Sequence, residues 1–65
     1  MKEAFQQKVK DFCSRTGVTI SRICTDESVN YSSSVKIREW VYSNKGQLSI
    51  EVADRIDKFI NNYKG

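Results

Sequence analysis

The apolar residues fall into four clusters, each spaced like one face of a helix. Phe5, Val9, Phe12 and Cys13 recur at i, i+4, i+7 and i+8, with Lys8, Lys10 and Asp11 off the stripe. This predicts a first helix over about residues 2–14, closed near Gly17, because glycine takes the left-handed conformation of a helix end without steric cost. Thr19 offers an N-cap hydroxyl, and Ile20, Ile23 and Cys24 make a compact apolar face. A second helix of about two turns is expected over roughly 19–27. The run Ser28-Val29-Asn30-Tyr31-Ser32-Ser33-Ser34 has no helical period and is rich in side chains that bond their own backbone, so it predicts a turn ending on a serine N-cap.

A third helix is expected over about 33–43. Ile37, Trp40 and Val41 share one face; Val35, Arg38, Glu39 and Tyr42 share another; Lys36 and Ser43 lie off both. Asn44-Lys45-Gly46 stops it, since Asn and Gly tolerate positive φ. The fourth helix, over about 49–62, starts at the N-cap Ser49, with Glu51 complementing the helix dipole and Leu48 placed as a staple. Val52, Ala53, Ile56, Phe59, Ile60 and Tyr63 form its stripe, while Asp54, Arg55, Asp57 and Lys58 face away. Only Val18-Thr19-Ile20 alternates with period two, too short for a strand. The expected fold is a compact all-α domain of four helices, with five as the alternative.

Composition narrows the function. A chain of 65 residues with 38% hydrophobic content builds one small core and no deep cleft between two layers. It has no His, the commonest general base and transition-metal ligand, and two Cys alone do not make a zinc site. Its carboxylates are scattered, and no glycine-rich phosphate loop occurs. An enzyme and a bound cofactor or metal are therefore not expected. No apolar run is long enough to cross a membrane, so no membrane partner is expected either. The start Met1-Lys2-Glu3-Ala4-Phe5-Gln6 lacks the apolar stretch of a signal peptide. That points to the cytoplasm, where Cys13 and Cys24 stay thiols.

The second and third segments carry the functional signal. A helix-turn-helix unit needs an apolar residue in its turn, a small side chain where the helices touch, and an apolar inner face on the second helix. Val29, Cys24 and the Ile37/Trp40/Val41 set meet these needs, and the outer face is free to enter the DNA major groove. Thr19-Ile-Ser-Arg-Ile-Cys, Ser28-Val29, Ser33-Ser34 and Ile37-Arg-Glu-Trp-Val41, followed by Leu48-Ser49-Ile-Glu-Val-Ala-Asp-Arg-Ile56, resemble the Cro/cI-type (XRE) helix-turn-helix family of phage and bacterial repressors. The resemblance spans residues 19–60. It implies a fold of the Cro/cI repressor type, with 33–43 as recognition helix, and binding of operator DNA, usually as a dimer. The chain has Ser28 where the family usually has Gly, and its connection from Val29 to Ile37 is longer than the usual turn by about three residues. The family's last helix has no counterpart here, so a weak homodimer, or a monomer that pairs on DNA, is expected.

Candidate DNA contacts follow from position. Arg38 on the outer face can fork onto guanine O6 and N7, or stay a solvated surface side chain. Val35 meets a thymine methyl or packs under the first helix. Ser32, Ser33 and Ser34 stand at a helix N-terminus suited to phosphate, or serve as caps. Asn30 and Tyr31 occupy the long turn, Tyr31 either touching DNA or lying as a lid on the core. Tyr42, Lys36 and Lys45 are within reach of the backbone, with Arg15 and Arg22 as further basic candidates. Trp40 shares its face with Ile37 and Val41 and is assigned to the core. Formal net charge is +3, and residues 34–45 hold three cations against one carboxylate, a net +2, whereas residues 46–65 balance to zero. The expected function is sequence-specific binding of double-stranded DNA by a transcriptional regulator, most like a small phage or prophage repressor, in a bacterial cell or phage-infected host. The alternative is the same fold reused as a protein-interaction module or inhibitor, such as a phage-encoded adaptor.

Overall fold

The computed structural model describes residues 2–64 and is all-α. Its helices are α1 (Lys2–Thr16), α2 (Ile20–Thr25), α3 (Ser34–Ser43) and α4 (Ile50–Asn62), with no strand among the described residues. No described helix is long and apolar enough to cross a membrane.

The helix ends show local chemistry at work. α1 runs two residues past its expected end. The Thr16 hydroxyl donates to the Phe12 carbonyl (2.7 Å) and the Gly17 amide to the Cys13 carbonyl (2.9 Å), after which Gly17 turns the chain with φ +78°. Thr19 and Ser49 cap as predicted, accepting the Arg22 and Val52 amides at 3.1 and 3.2 Å. α2 is shorter than expected because Asp26 leaves the helix with ψ 139°. Its carboxylate accepts the Ser28 amide (3.0 Å) and hydroxyl (2.5 Å), and its carbonyl accepts the Val29 and Asn30 amides (3.0 and 2.7 Å). This side chain offers the backbone a turn in place of another helical residue.

The serine cap of α3 is corrected by the structure. Ser33 occupies the N-cap position, but its hydroxyl makes no capping bond. Its ψ of 64° departs from the extended backbone of Thr19 and Ser49 (ψ 162° and 150°), the geometry that aims an N-cap side chain at the following amides. Only the Ser33 carbonyl engages, accepting from the Lys36 amide at 3.0 Å and the Ile37 amide at 3.5 Å.

One core joins the four helices and the α2–α3 connection. α1 gives Val9 and Phe12; α2 gives Ile20, Ile23 and Cys24; α3 gives Ile37, Trp40 and Val41; α4 gives Val52, Ile56 and Ile60. Val29, inside the connection, is fully buried and ties it to the core; burying such a side chain is worth about 1.5–3 kcal/mol. Phe12 meets Phe59 and Tyr63 edge-on, at centroid distances of 6.0 and 5.1 Å. Val35 does not pack under α1, the alternative open to it from sequence. It points away from the Ile37/Trp40/Val41 face and is 55% exposed. Cys13 and Cys24 are both free thiols, the first half-buried and the second buried.

Polar side chains lock the helices in place. Gln6 is the buried polar side chain among the described residues. Its Nε2 donates to the Trp40 carbonyl at 2.7 Å and to Asn44 Oδ1 at 3.2 Å, fastening α1 to the end of α3. Lys8 links α1 to α4 through Asp57 (2.5 Å) and Asn61 (2.9 Å). Arg55 of α4 donates to the Val29 carbonyl at 3.4 Å, bracing the connection from below.

Candidate nucleic-acid interface

With Ile37, Trp40 and Val41 turned inward, the opposite side of α3 is a ridge of exposed side chains. Val35, Glu39 and Tyr42 stand along it at i, i+4 and i+7, with Arg38 on one flank and Lys36 and Ser43 on the other. Tyr42 is 52% exposed, close to Val35. α3 has ten residues and so is about 15 Å long, and a groove about 12 Å wide admits it side-on.

A cleft runs beside this ridge between α3, the second half of α1 and the start of α2. Lys10, Cys13, Thr19, Ser21, Arg38 and Tyr42 are among its lining residues. Lys10 Nζ lies 5.9 Å from the Tyr42 ring centroid, over its face. Burial pushes the Tyr42 phenol and the Cys13 thiol above their usual pKa ranges, so both are neutral near pH 7. The Tyr42 hydroxyl faces the Cys13 thiol, which draws the thiol partly back down and raises the phenol further.

The sequence-predicted residues are spread over the length of α3 and its flanks. Val35, Arg38 and Tyr42 share the exposed face, and Lys36 adjoins it. Ser32 is exposed just before α3, while Ser33 and Ser34 are half-buried. Lys45 is exposed beyond the C-terminal end, its amide donating to the Glu39 carbonyl at 3.2 Å. Asn30 is exposed in the connection with a left-handed φ of 46°. Tyr31 is set apart from the others: it is half-buried against the core, and its amide donates to the Cys24 carbonyl at 3.1 Å. That is the position of a lid.

The charges are sorted by element. Every ion pair among the described residues includes a residue of α4: Lys8–Asp57 (2.5 Å), Arg55–Glu51 (2.5 Å) and Lys58–Asp54 (3.1 Å). Arg22, Lys36, Arg38 and Lys45 are in none of them. Every charged residue of α4 is thus paired, and the positive excess remains with α1, α2, α3 and the loop after α3.

Two residues escaped the sequence reading. Gln6 falls on the buried face of α1 at i, i+3 and i+7 with Val9 and Cys13, a period that marks it as core-facing despite its polarity. Glu39, exposed on the outer face beside Arg38, is the other, and it is not among the sequence-predicted contacts. Among the described residues no group of three His, Cys, Asp or Glu side chains is gathered as a metal ion would need. Comparison of the chain with protein-family models, with curated proteins and with solved structures gives no significant match.

Proposed function

We propose that the protein is a sequence-specific, double-stranded-DNA-binding transcriptional regulator of the Cro/cI helix-turn-helix kind, with residues 33–43 as the recognition helix in the major groove. One observation carries this reading: α3 buries one face completely and presents the other with Arg38 and Lys36 free of ion pairs. Arg38 reads guanine through O6 and N7, and Val35 meets a thymine methyl. Lys36, Lys45 and Tyr42 hold the backbone, as do Asn30 and Ser32–Ser34 before α3, whose first amides lack a side-chain cap. Repression follows from occlusion, since a protein lying over a promoter excludes polymerase. A domain this small has a limited footprint, so two copies pair on two half-sites.

The test is the salt dependence of duplex binding. Each phosphate neutralised adds roughly 0.9 to the slope of log affinity against log salt. A steep fall is expected between low and moderate salt; an affinity that stays flat would refute the proposal. The exposed Val35 and Tyr42 also suit a protein partner. A stoichiometric protein captured from nuclease-treated lysate, together with flat salt dependence, would favour that second reading.

A further inference from the structure

Glu39 stands at the centre of the exposed ridge of α3, between Val35 four residues before it and Tyr42 three after, and beside Arg38. Within α3 the only cation three or four residues away is Lys36, and the two form no ion pair. Glu39 lies mid-helix, in neither the first turn of α3, where the helix dipole favours negative charge, nor the last. Its side chain is exposed and is in neither an ion pair nor a hydrogen bond among the described residues. Arg38 is its immediate neighbour in sequence, and adjacent helical residues do not face each other. Most other carboxylates have work to do. Glu51, Asp54 and Asp57 pair with Arg55, Lys58 and Lys8, Asp26 holds the turn at Ser28, Asp11 accepts from Gln7, and Glu3 sits in the first turn of α1.

On a surface that approaches a polyanion, an unpaired carboxylate weakens binding everywhere unless a donor meets it. In the major groove such a donor is the N4 amino group of cytosine. Adenine also offers an amino group, but the N7 acceptor beside it repels a carboxylate and suits an amide instead. We propose that Glu39 is a specificity-determining residue that accepts a hydrogen bond from cytosine N4 in the major groove, and whose charge penalises every site lacking that cytosine. With Arg38 alongside it, the ridge reads one guanine and one cytosine. This inference rests on α3 being the recognition helix.

The experiment is selection of bound sequences from a pool of randomised duplexes, run in parallel with the wild-type protein, Glu39→Gln and Glu39→Ala. The wild type should fix a C·G pair at one position. Glu39→Gln should move that position to A·T, since a glutamine amide pairs bidentately with adenine, and Glu39→Ala should leave it unselected, with the other fixed positions retained. The discrimination lost at that pair should be roughly 5- to 150-fold. Both variants should also bind random-sequence duplex more tightly than the wild type, with thermal unfolding unchanged. Variants that select the same sequence as the wild type would overturn the role of Glu39 and leave the recognition helix standing. A wild-type protein that enriches no sequence would overturn the recognition helix, and this proposal with it.

Discussion

The contact between Gln6 and the end of α3 predicts a loss of stability from a change that removes almost no volume. At the C-terminus of α3 the amides of Asn44 and Lys45 both turn to the Glu39 carbonyl, and the Trp40 carbonyl is taken instead by Gln6 Nε2 at 2.7 Å. Gln6→Met keeps the length and shape of the side chain but withdraws the donor. The Trp40 carbonyl is then left in a site that Gln6 shields from solvent, being itself only 7% exposed. An orphaned buried acceptor costs about 1–3 kcal/mol, and the more apolar methionine recovers part of this, leaving a net loss of about 1–2 kcal/mol. A chain of this length has a total stability of roughly 3–10 kcal/mol, so the melting temperature should fall by about 4–16 °C.

Trp40 is the single tryptophan and is buried, so its fluorescence follows unfolding in urea. The midpoint should drop with no change in slope. Gln6→Glu sharpens the test, because its protonated form can still donate to the Trp40 carbonyl whereas its carboxylate repels it. Its folded pKa then lies above the unfolded value of about 4.3. The variant should be closest to wild type below that pH and lose stability as pH rises through the folded pKa. A Gln6→Met protein within about 0.5 kcal/mol of wild type would show that the bond to Trp40 contributes nothing.

Other consequences are open to direct measurement. Arg38→Ala should cost about 1–3 kcal/mol at a selected site while leaving unfolding unchanged; undiminished affinity would move base reading to the residues before α3. The Ser28 hydroxyl and amide, helped by Arg22, hold the Asp26 carboxyl below its usual range. Its stabilising effect is therefore present above the unfolded pKa and fades as pH falls through the folded one. An NMR titration should find Asp26 more acidic than an ordinary aspartate, and Ser28→Ala should raise it. If the titration midpoint does not move, the Ser28 bonds do not hold the turn.

The four helices were legible in the sequence, with ends within about two residues. Periodicity of 3.6, a threonine or serine at the cap and a glycine or asparagine at the exit are all properties of neighbouring residues. For the same reason the inner and outer faces of α3 could be assigned from Ile37, Trp40 and Val41 alone. The proposed interface was legible as a face but not as a surface, since sequence left Val35 and Tyr31 each with two possible homes. The packed chain exposes the first and turns the second onto the core.

Other features depend on partners far away in the chain. Gln6 finds Trp40 across 34 residues, and Lys8 finds Asp57 across 49. The backbone at Ser33, with ψ 64° between the buried Val29 and the start of α3, denies its hydroxyl the cap that its residue type promised. Sequence by itself determined which residues are helical and which stripe of each helix is apolar, because those depend on spacing along one backbone. Only the tertiary structure decided which polar groups are buried, which charges are cancelled and that those on the outer face of α3 stay free. Those depend on what lies opposite in space, and burial makes an unmatched polar group costly enough to select its partner.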